Sequence, residues 1–280
     1  MTVLRIAAPA KLNLHLEVLG RRADGFHALE SIFQTIALHD QVELRLQPAP
    51  GIALTCDDAS LPADRGNLAW RAAAAFLARA PAAGVAIALA KRIPHGAGLG
   101  GGSSDAATVL RGLARLLPDL WSAAELAALA AALGSDVPFF LVGGTAHGTG
   151  RGEILSALPD LPALPVTVLM PAVSLATPAV FKALDDGERG PRALRGATWW
   201  QAALARDGVV PHLHNRLAPA AQRLCPEVGA LLAWLAGQGV PHLMSGSGAA
   251  CFALAHLTPP PGVRAWHTAF LPRAGLDAVG

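Results

Sequence analysis

The sequence predicts an α+β fold of two packed lobes, on three observations. Strand-like alternation dominates the first ninety residues, a helical period takes over from about Gly102, and the Pro-rich stretch Pro159 to Pro165 separates that half from one mixing both element types. Each half holds its own run of strands and helices, which argues against a strictly alternating doubly wound sheet. The expected domains are 1–158 and 159–280.

Near the N-terminus, Leu12, Leu14, Leu16 and Val18 fall on one face of an early strand and Lys11, Asn13, His15 and Glu17 on the other, a polar face suited to lining a cleft. Val42, Leu44 and Leu46 alternate with polar residues, and Val85, Ile87 and Leu89 repeat the pattern. Asn67 to Arg79 reads as an Ala-rich helix ended by Pro81 and Gly84. Ala106, Val109, Leu110, Leu113 and Leu117 keep the spacing of a helix buried on one side and closed by Pro118. Ser122 and Glu125 make a capping box for the next helix, and Gly134 stops it. Gly143 to Arg151 reads as a strand with tight turns, Val166 to Met170 as a short buried strand, Pro178 to Leu184 as a helix, Asn215 to Gly237 as one or two helices, and Ala249 to Ala253 as another buried strand.

Composition narrows the function classes. The 280 residues are 52% apolar and 15% charged with a formal charge of +2, too apolar for disorder and too weakly basic to bind nucleic acid through a broad surface. A chain of this length buries roughly 70 to 75% of its unfolded surface and needs no disulfides. Cys56, Cys225 and Cys251 are odd in number and form no CxxC pair, which fits a reducing cytoplasm. The N-terminus lacks a secretory pattern, and the uncharged stretches Leu161 to Phe181 and Val228 to Val263 are broken by prolines and glycines, so no membrane span is expected. His212, His214 and His242 have no carboxylate or Cys at ligand spacing, and no metal site is assigned.

The strongest local signal is the run Pro94-His95-Gly96-Ala97-Gly98-Leu99-Gly100-Gly101-Gly102-Ser103-Ser104-Asp105, between a strand and a helix. Its glycines let backbone N–H groups turn inward, and the helix N-terminus adds about half a positive charge, so the run suits a phosphate. The competing reading is a flexible turn with Ser103 or Ser104 as N-cap. There is no Gly-Lys for a Walker A loop, only a relaxed match to a dinucleotide fingerprint, and no Gly-x-Ser-x-Gly elbow. Phosphoryl transfer also needs groups that deprotonate an acceptor and steady the developing charge. Lys11 is one candidate, or a solvated strand residue; Asp136, in Gly134-Ser135-Asp136-Val137-Pro138, is another, or a helix cap. Ser245-Gly246-Ser247-Gly248 is either a second backbone loop at the same site or a tight turn.

Pro9-Ala10-Lys11-Leu12-Asn13-Leu14, the Pro94 to Asp105 run, Gly134 to Pro138 and Ser245 to Gly248 stand in the order and spacing of the GHMP small-molecule kinases, and the chain resembles that superfamily over nearly its whole length. Gly20-Arg21-Arg22-Ala23-Asp24-Gly25-Phe26-His27 and Thr177-Pro178-Ala179-Val180-Phe181-Lys182 resemble its branch acting on a cytidine diphosphate sugar alcohol in non-mevalonate isoprenoid synthesis. The resemblance implies the two-lobed GHMP kinase fold with its cleft between the lobes, and transfer of the γ-phosphoryl group of ATP to the acceptor's 2-hydroxyl, with Mg²⁺ as the companion of ATP. By it, Asp136 is the general base, Lys11 assists it, and Pro94 through Ser104 cradle the triphosphate. Asn67 and Leu68 match positions near the adenine, and Asn13, Phe26, His27, Thr177 and Phe181 match the substrate side. His27 can hydrogen-bond a cytosine edge, while Phe26 and Phe181 can stack on the base. The partner is then a small molecule, with no nucleic acid or membrane, and the enzyme a cytoplasmic monomer or homodimer. Phe26 stands where Tyr is frequent, His95 and Ala97 where Met and Gly are common, and Asp105 where Asn is frequent. The rivals are a homoserine or mevalonate kinase, whose acceptors carry no base to stack, and a nucleotide-binding regulator without catalysis.

Overall fold

In the computed structural model, residues 2–184 and 194–277 are described. Two long antiparallel strands, β1 (Val3–Arg21) and β2 (His27–Gln47), form the spine of the first sheet. The other strands of this sheet are β3 (Gly51–Cys56), β4 (Gly84–Ala90), β5 (Thr145–Thr149), β6 (Ile154–Ala157) and the two-residue β8 (His214–Asn215). Its path is β3-β4-β2-β1-β8. Residues Gln41–Gln47 of β2 pair with β4, and Ser31–Gln34 pair with β5, so the strand serves two partners in succession. The second sheet runs β11-β7-β10-β9, from β7 (Pro165–Met170), β9 (His242–Met244), β10 (Cys251–Ala253) and β11 (Arg264–Ala269).

The helices divide the same way. On the first sheet lie α1 (Leu68–Leu77), α2 (Gly101–Leu116), α3 (Ala123–Leu133) and α4 (Phe139–Val142), burying Phe76, Val109, Leu110, Leu113 and Phe139 against Val42, Leu44 and Val85. The predicted capping box of α3 is present, with Ser122 and Glu125 each satisfying the other's backbone. Leu12 and Leu14 of β1 pack on Val166, Val168, Phe252 and Trp200, joining the two sheets. Around the second sheet are α5 (Thr177–Lys182), α6 (Ala197–Asp207), α7 (Ala218–Leu224) and α8 (Pro226–Gly237).

Among the elements the sequence did not anticipate, α6, β9 and β11 show why. In α6, Trp199 is exposed beside buried Trp200, which blurs the apolar stripe; β9 has three residues, and in β11 no residue is fully buried. The polar face of β1 also differs from a regular strand. Its pairing slips between Asn13 and His15, and this bulge re-aims the residues beyond it. Lys11 and Asn13 reach the cleft, whereas His15 turns to Trp200 and Glu17 to Arg216, and Leu16 takes a place on the cleft wall.

Candidate active site

A cavity of 1020 Å³ lies between the lobes, walled by β1, the glycine run and the Asp136 turn on one side and by Thr177 to Lys182, Leu217 and Gly246 to Ser247 on the other. The chain leaves β4, turns through Gly96, Gly98 and Gly100 at φ of +65°, +73° and +73°, and enters α2. Gly100 is the N-cap in left-handed conformation and no side chain caps the helix, which leaves its first donors to an anion. Ser103 and Ser104 therefore lie inside α2, not at its cap. The Ser104 hydroxyl donates to the Pro9 carbonyl at 2.6 Å, and Ser104 is off the cavity wall, while Pro94 through Ser103 all line it.

Lys11 is fastened to the same run, its backbone N–H donating to the Leu99 carbonyl at 3.0 Å. The ammonium, 5% exposed, donates to Asn13 Oδ1 at 2.5 Å and stands 3.6 Å from Asp136 Oδ2, whose side chain is 34% exposed. Asn13 in turn donates to Ser31 Oγ at 2.8 Å, and Ser31 to the His15 carbonyl at 2.7 Å. A buried cation is thus held by a fixed amide and aimed at an accessible carboxylate, an arrangement that can orient a hydroxyl between acceptor and base.

The Ser245 to Gly248 turn meets the glycine run backbone to backbone. A Cβ on Gly98 would lie 2.2 Å from the Ser245 carbonyl oxygen, so only glycine admits this approach. The Asn215 amide donates to the Met244 and Gly246 carbonyls at 2.7 and 2.8 Å, and Thr177 Oγ1 and Ser247 Oγ are 2.8 Å apart.

At the far end, His27 stacks on Phe181 with centroids 5.0 Å apart and planes at 23°. Phe26, 53% exposed, lies under the Arg151 guanidinium at 4.8 Å. Asn67 and Leu68 also line the cavity, but the Asn67 amide is committed: its oxygen caps α1 through the Ala69 N–H and its nitrogen donates to the Pro62 carbonyl, both at 2.9 Å. Sequence reasoning missed the cations that gather here, Arg21, Arg151 and Lys182, and also Lys91 beside the glycine run. Arg21 and Lys182 lie in segments that carry the resemblance but had no role assigned, Lys91 is one of the pair Lys91-Arg92 with nothing to single it out, and the Gly150-Arg151-Gly152 turn was the one local cue for Arg151.

The family described as GHMP kinases N terminal domain matches residues 67–144, and that described as GHMP kinases C terminal matches 199–269. The chain belongs to the GHMP kinases, enzymes that use ATP as co-substrate to phosphorylate small molecules. L. major mevalonate kinase shares the fold alone, at 14% identity, a TM-score of 0.70 and 96% coverage of each chain. The 4-diphosphocytidyl-2-C-methyl-D-erythritol kinase of Moorella thermoacetica is 42% identical over 267 residues, 91% of each chain. A crystal structure of 4-(cytidine 5'-diphospho)-2C-methyl-D-erythritol kinase is 40% identical with a TM-score of 0.79, over 95% of this chain and 99% of that one. Within the GHMP kinases, this chain belongs to that family. Among the described residues, no helix is long and apolar enough to cross a membrane.

Proposed function

We propose that the protein transfers the γ-phosphoryl group of ATP to the 2-hydroxyl of 4-diphosphocytidyl-2-C-methyl-D-erythritol, giving the 2-phosphate and ADP. The observation that carries this reading is the 3.6 Å approach of Lys11 to Asp136 beside an uncapped helix N-terminus. Asp136 accepts the hydroxyl proton, the freed oxygen bonds to the γ-phosphorus, and the bond from that phosphorus to the β–γ bridging oxygen breaks, releasing ADP. Lys11, steadied by Asn13, holds the hydroxyl and offsets the growing negative charge. Backbone donors from Pro94 through Ser103 hold the triphosphate; Ser104 serves by anchoring the run to Pro9. Asn67 and Leu68 flank the adenine, Asn67 through its place on the wall and not its committed side chain.

The acceptor end fits the cytidine moiety. Phe26, His27 and Phe181 offer aromatic faces and a hydrogen-bonding edge, and Thr177 lies against the Ser245 to Gly248 turn. Arg21, Arg151 and Lys182 add positive charge suited to a diphosphate.

Mg²⁺ prefers oxygen ligands and keeps much of its shell as water and substrate phosphate. Among the described residues, no group of three or more His, Cys, Asp or Glu could cage it, while the Ser103 hydroxyl and Asp136 carboxylate stand on the cavity wall. That donor set fits an ion carried in by ATP and completed by the Ser103 hydroxyl, where it would neutralise phosphate charge and leave Asp136 free as the base. We further take 1–158 and 159–280 as the two domains and the protein as a cytoplasmic monomer or homodimer without a nucleic-acid partner. Three free cysteines support the reducing compartment.

A coupled assay of ATP consumption with each of three acceptors tests the reading. Turnover is expected with the cytidine diphosphate compound, and turnover with only homoserine or mevalonate would overturn it. Asp136→Asn should lower kcat by about 10² to 10⁴ while leaving nucleotide affinity near wild type.

A further inference from the structure

We infer that Asp40, Lys91 and Asp105 form a buried clasp that joins the two ends of the glycine run and holds its backbone donors in position for nucleotide. The inference rests on the kinase reading of that run but concerns groups outside the catalytic pair. Asp40 lies in β2 and is fully buried. Its Oδ1 accepts the backbone N–H groups of Arg92 at 2.5 Å and Ile93 at 2.8 Å, where the chain leaves β4. Lys91 donates to Asp40 Oδ2 and, across the run, to Asp105 Oδ2 at 2.5 Å in the second turn of α2. Asp40 Oδ2 also lies 3.5 Å from where a Cβ on Gly101 would stand, directly against the helix start.

One ammonium therefore closes the fourteen-residue interval from Lys91 to Asp105 into a ring, and Asp40 fixes that ring to the sheet. A glycine-dense segment has more backbone freedom to lose than any other, so a tether at both ends removes most of the conformations in which its N–H groups point apart. Burying one ammonium and two carboxylates is costly, and packed apolar side chains would serve stability as well. Spanning the run is what the ions do that apolar side chains would not. Lys91 and Asp105 are positioning residues: they act on nucleotide through the backbone between them.

Calorimetric titration of the purified protein with ATP, and hydrogen exchange of the apo protein, test the clasp. Lys91→Met and Asp105→Ala should each weaken ATP binding about tenfold or more, as loss of a charge-assisted hydrogen bond predicts. Asp105→Asn keeps an acceptor for Lys91 and should stay within about threefold of wild type by the same arithmetic. Exchange at Gly96 to Ser103 should quicken in the first two variants while amides in the later turns of α2 stay protected, and the KM of the acceptor should hold. ATP affinity within about twofold of wild type in Asp105→Ala, or an Asp105→Asn as weak as Asp105→Ala, would overturn the clasp, and this pair decides even if Lys91→Met does not fold. A wild-type protein that binds no ATP would instead overturn the kinase reading.

Discussion

Gly98 illustrates how one missing side chain shapes the site. Its φ of +73° disfavours any L side chain, and the Ser245 carbonyl occupies the space a Cβ would need. Gly98→Ala should therefore cost about 1 to 3 kcal/mol of stability and weaken nucleotide binding with it. Urea unfolding and a nucleotide titration measure both; unchanged values would mean that the two glycine turns do not touch in solution. Residue types announced much of this centre in the sequence. Lys11 and Asp136 stood out only in company: alone, one reads as a solvated strand residue and the other as a helix cap, and it was their order with the glycine runs across four motifs that marked them as candidates. Their meeting was not readable, since neither side chain carries a local mark of its partner. Ser104 shows the limit from the other side: a hydroxyl at a helix start suggests a phosphate ligand, yet burial turned it to the Pro9 carbonyl. Arg21, Arg151 and Lys182 look like ordinary solvated charges until the fold gathers them.

At the scale of elements, the joint between β1 and β8 carries unused chemistry. His15 pairs with His214 across this parallel contact, and its Nδ1–H donates to the His212 carbonyl at 3.1 Å. Burial holds the His15 imidazole down at about 4, against an ordinary 6.5, with the His212 hydrogen bond opposing only in part. Burial raises Glu17 and Glu30, but hydrogen bonds outweigh it and hold both at about 2: His214 and Arg216 act on Glu17, and His147, Trp200 and the Arg195 N–H on Glu30. All three groups favour folding through their deprotonated forms. The His15 contribution is complete above pH 6.5 and drains away as pH falls toward 4. The Glu17 and Glu30 contributions persist down to about 4.5 and are lost as pH falls toward 2. Urea unfolding at pH 7 and 4.5 should show a drop that His15→Asn reduces by ~2 kcal/mol; identical drops would remove His15 as the cause. Little of this joint was legible. β8 is too short to show alternation, and α6, whose entrance Glu30 holds through the Arg195 and Gly196 N–H groups, mixes buried and exposed Trp.

Across the whole molecule, β1 threads every core. Ala8 packs with the helices of the first sheet, Leu12 and Leu14 lie between the sheets, and Leu16 and Val18 join α7 and α8. A two-lobed fold was legible because runs of strands and helices recur on both sides of a Pro-rich stretch, but this shared strand was not, since long-range packing leaves no local pattern. A fragment of residues 1–158 should therefore show no cooperative thermal transition by circular dichroism, whereas the full chain should unfold in one step; a cooperative fragment would show that β1 needs only its own half. The same strand has a history during synthesis. It emerges from the ribosome long before its parallel neighbour at His214 and Asn215, and at translation rates of about 5 to 20 residues per second the wait is on the order of ten to forty seconds. Throughout that interval the nascent chain carries an unpaired strand border at His15 and Leu16, and unpaired borders of this kind are what a chaperone shields until the last partner arrives.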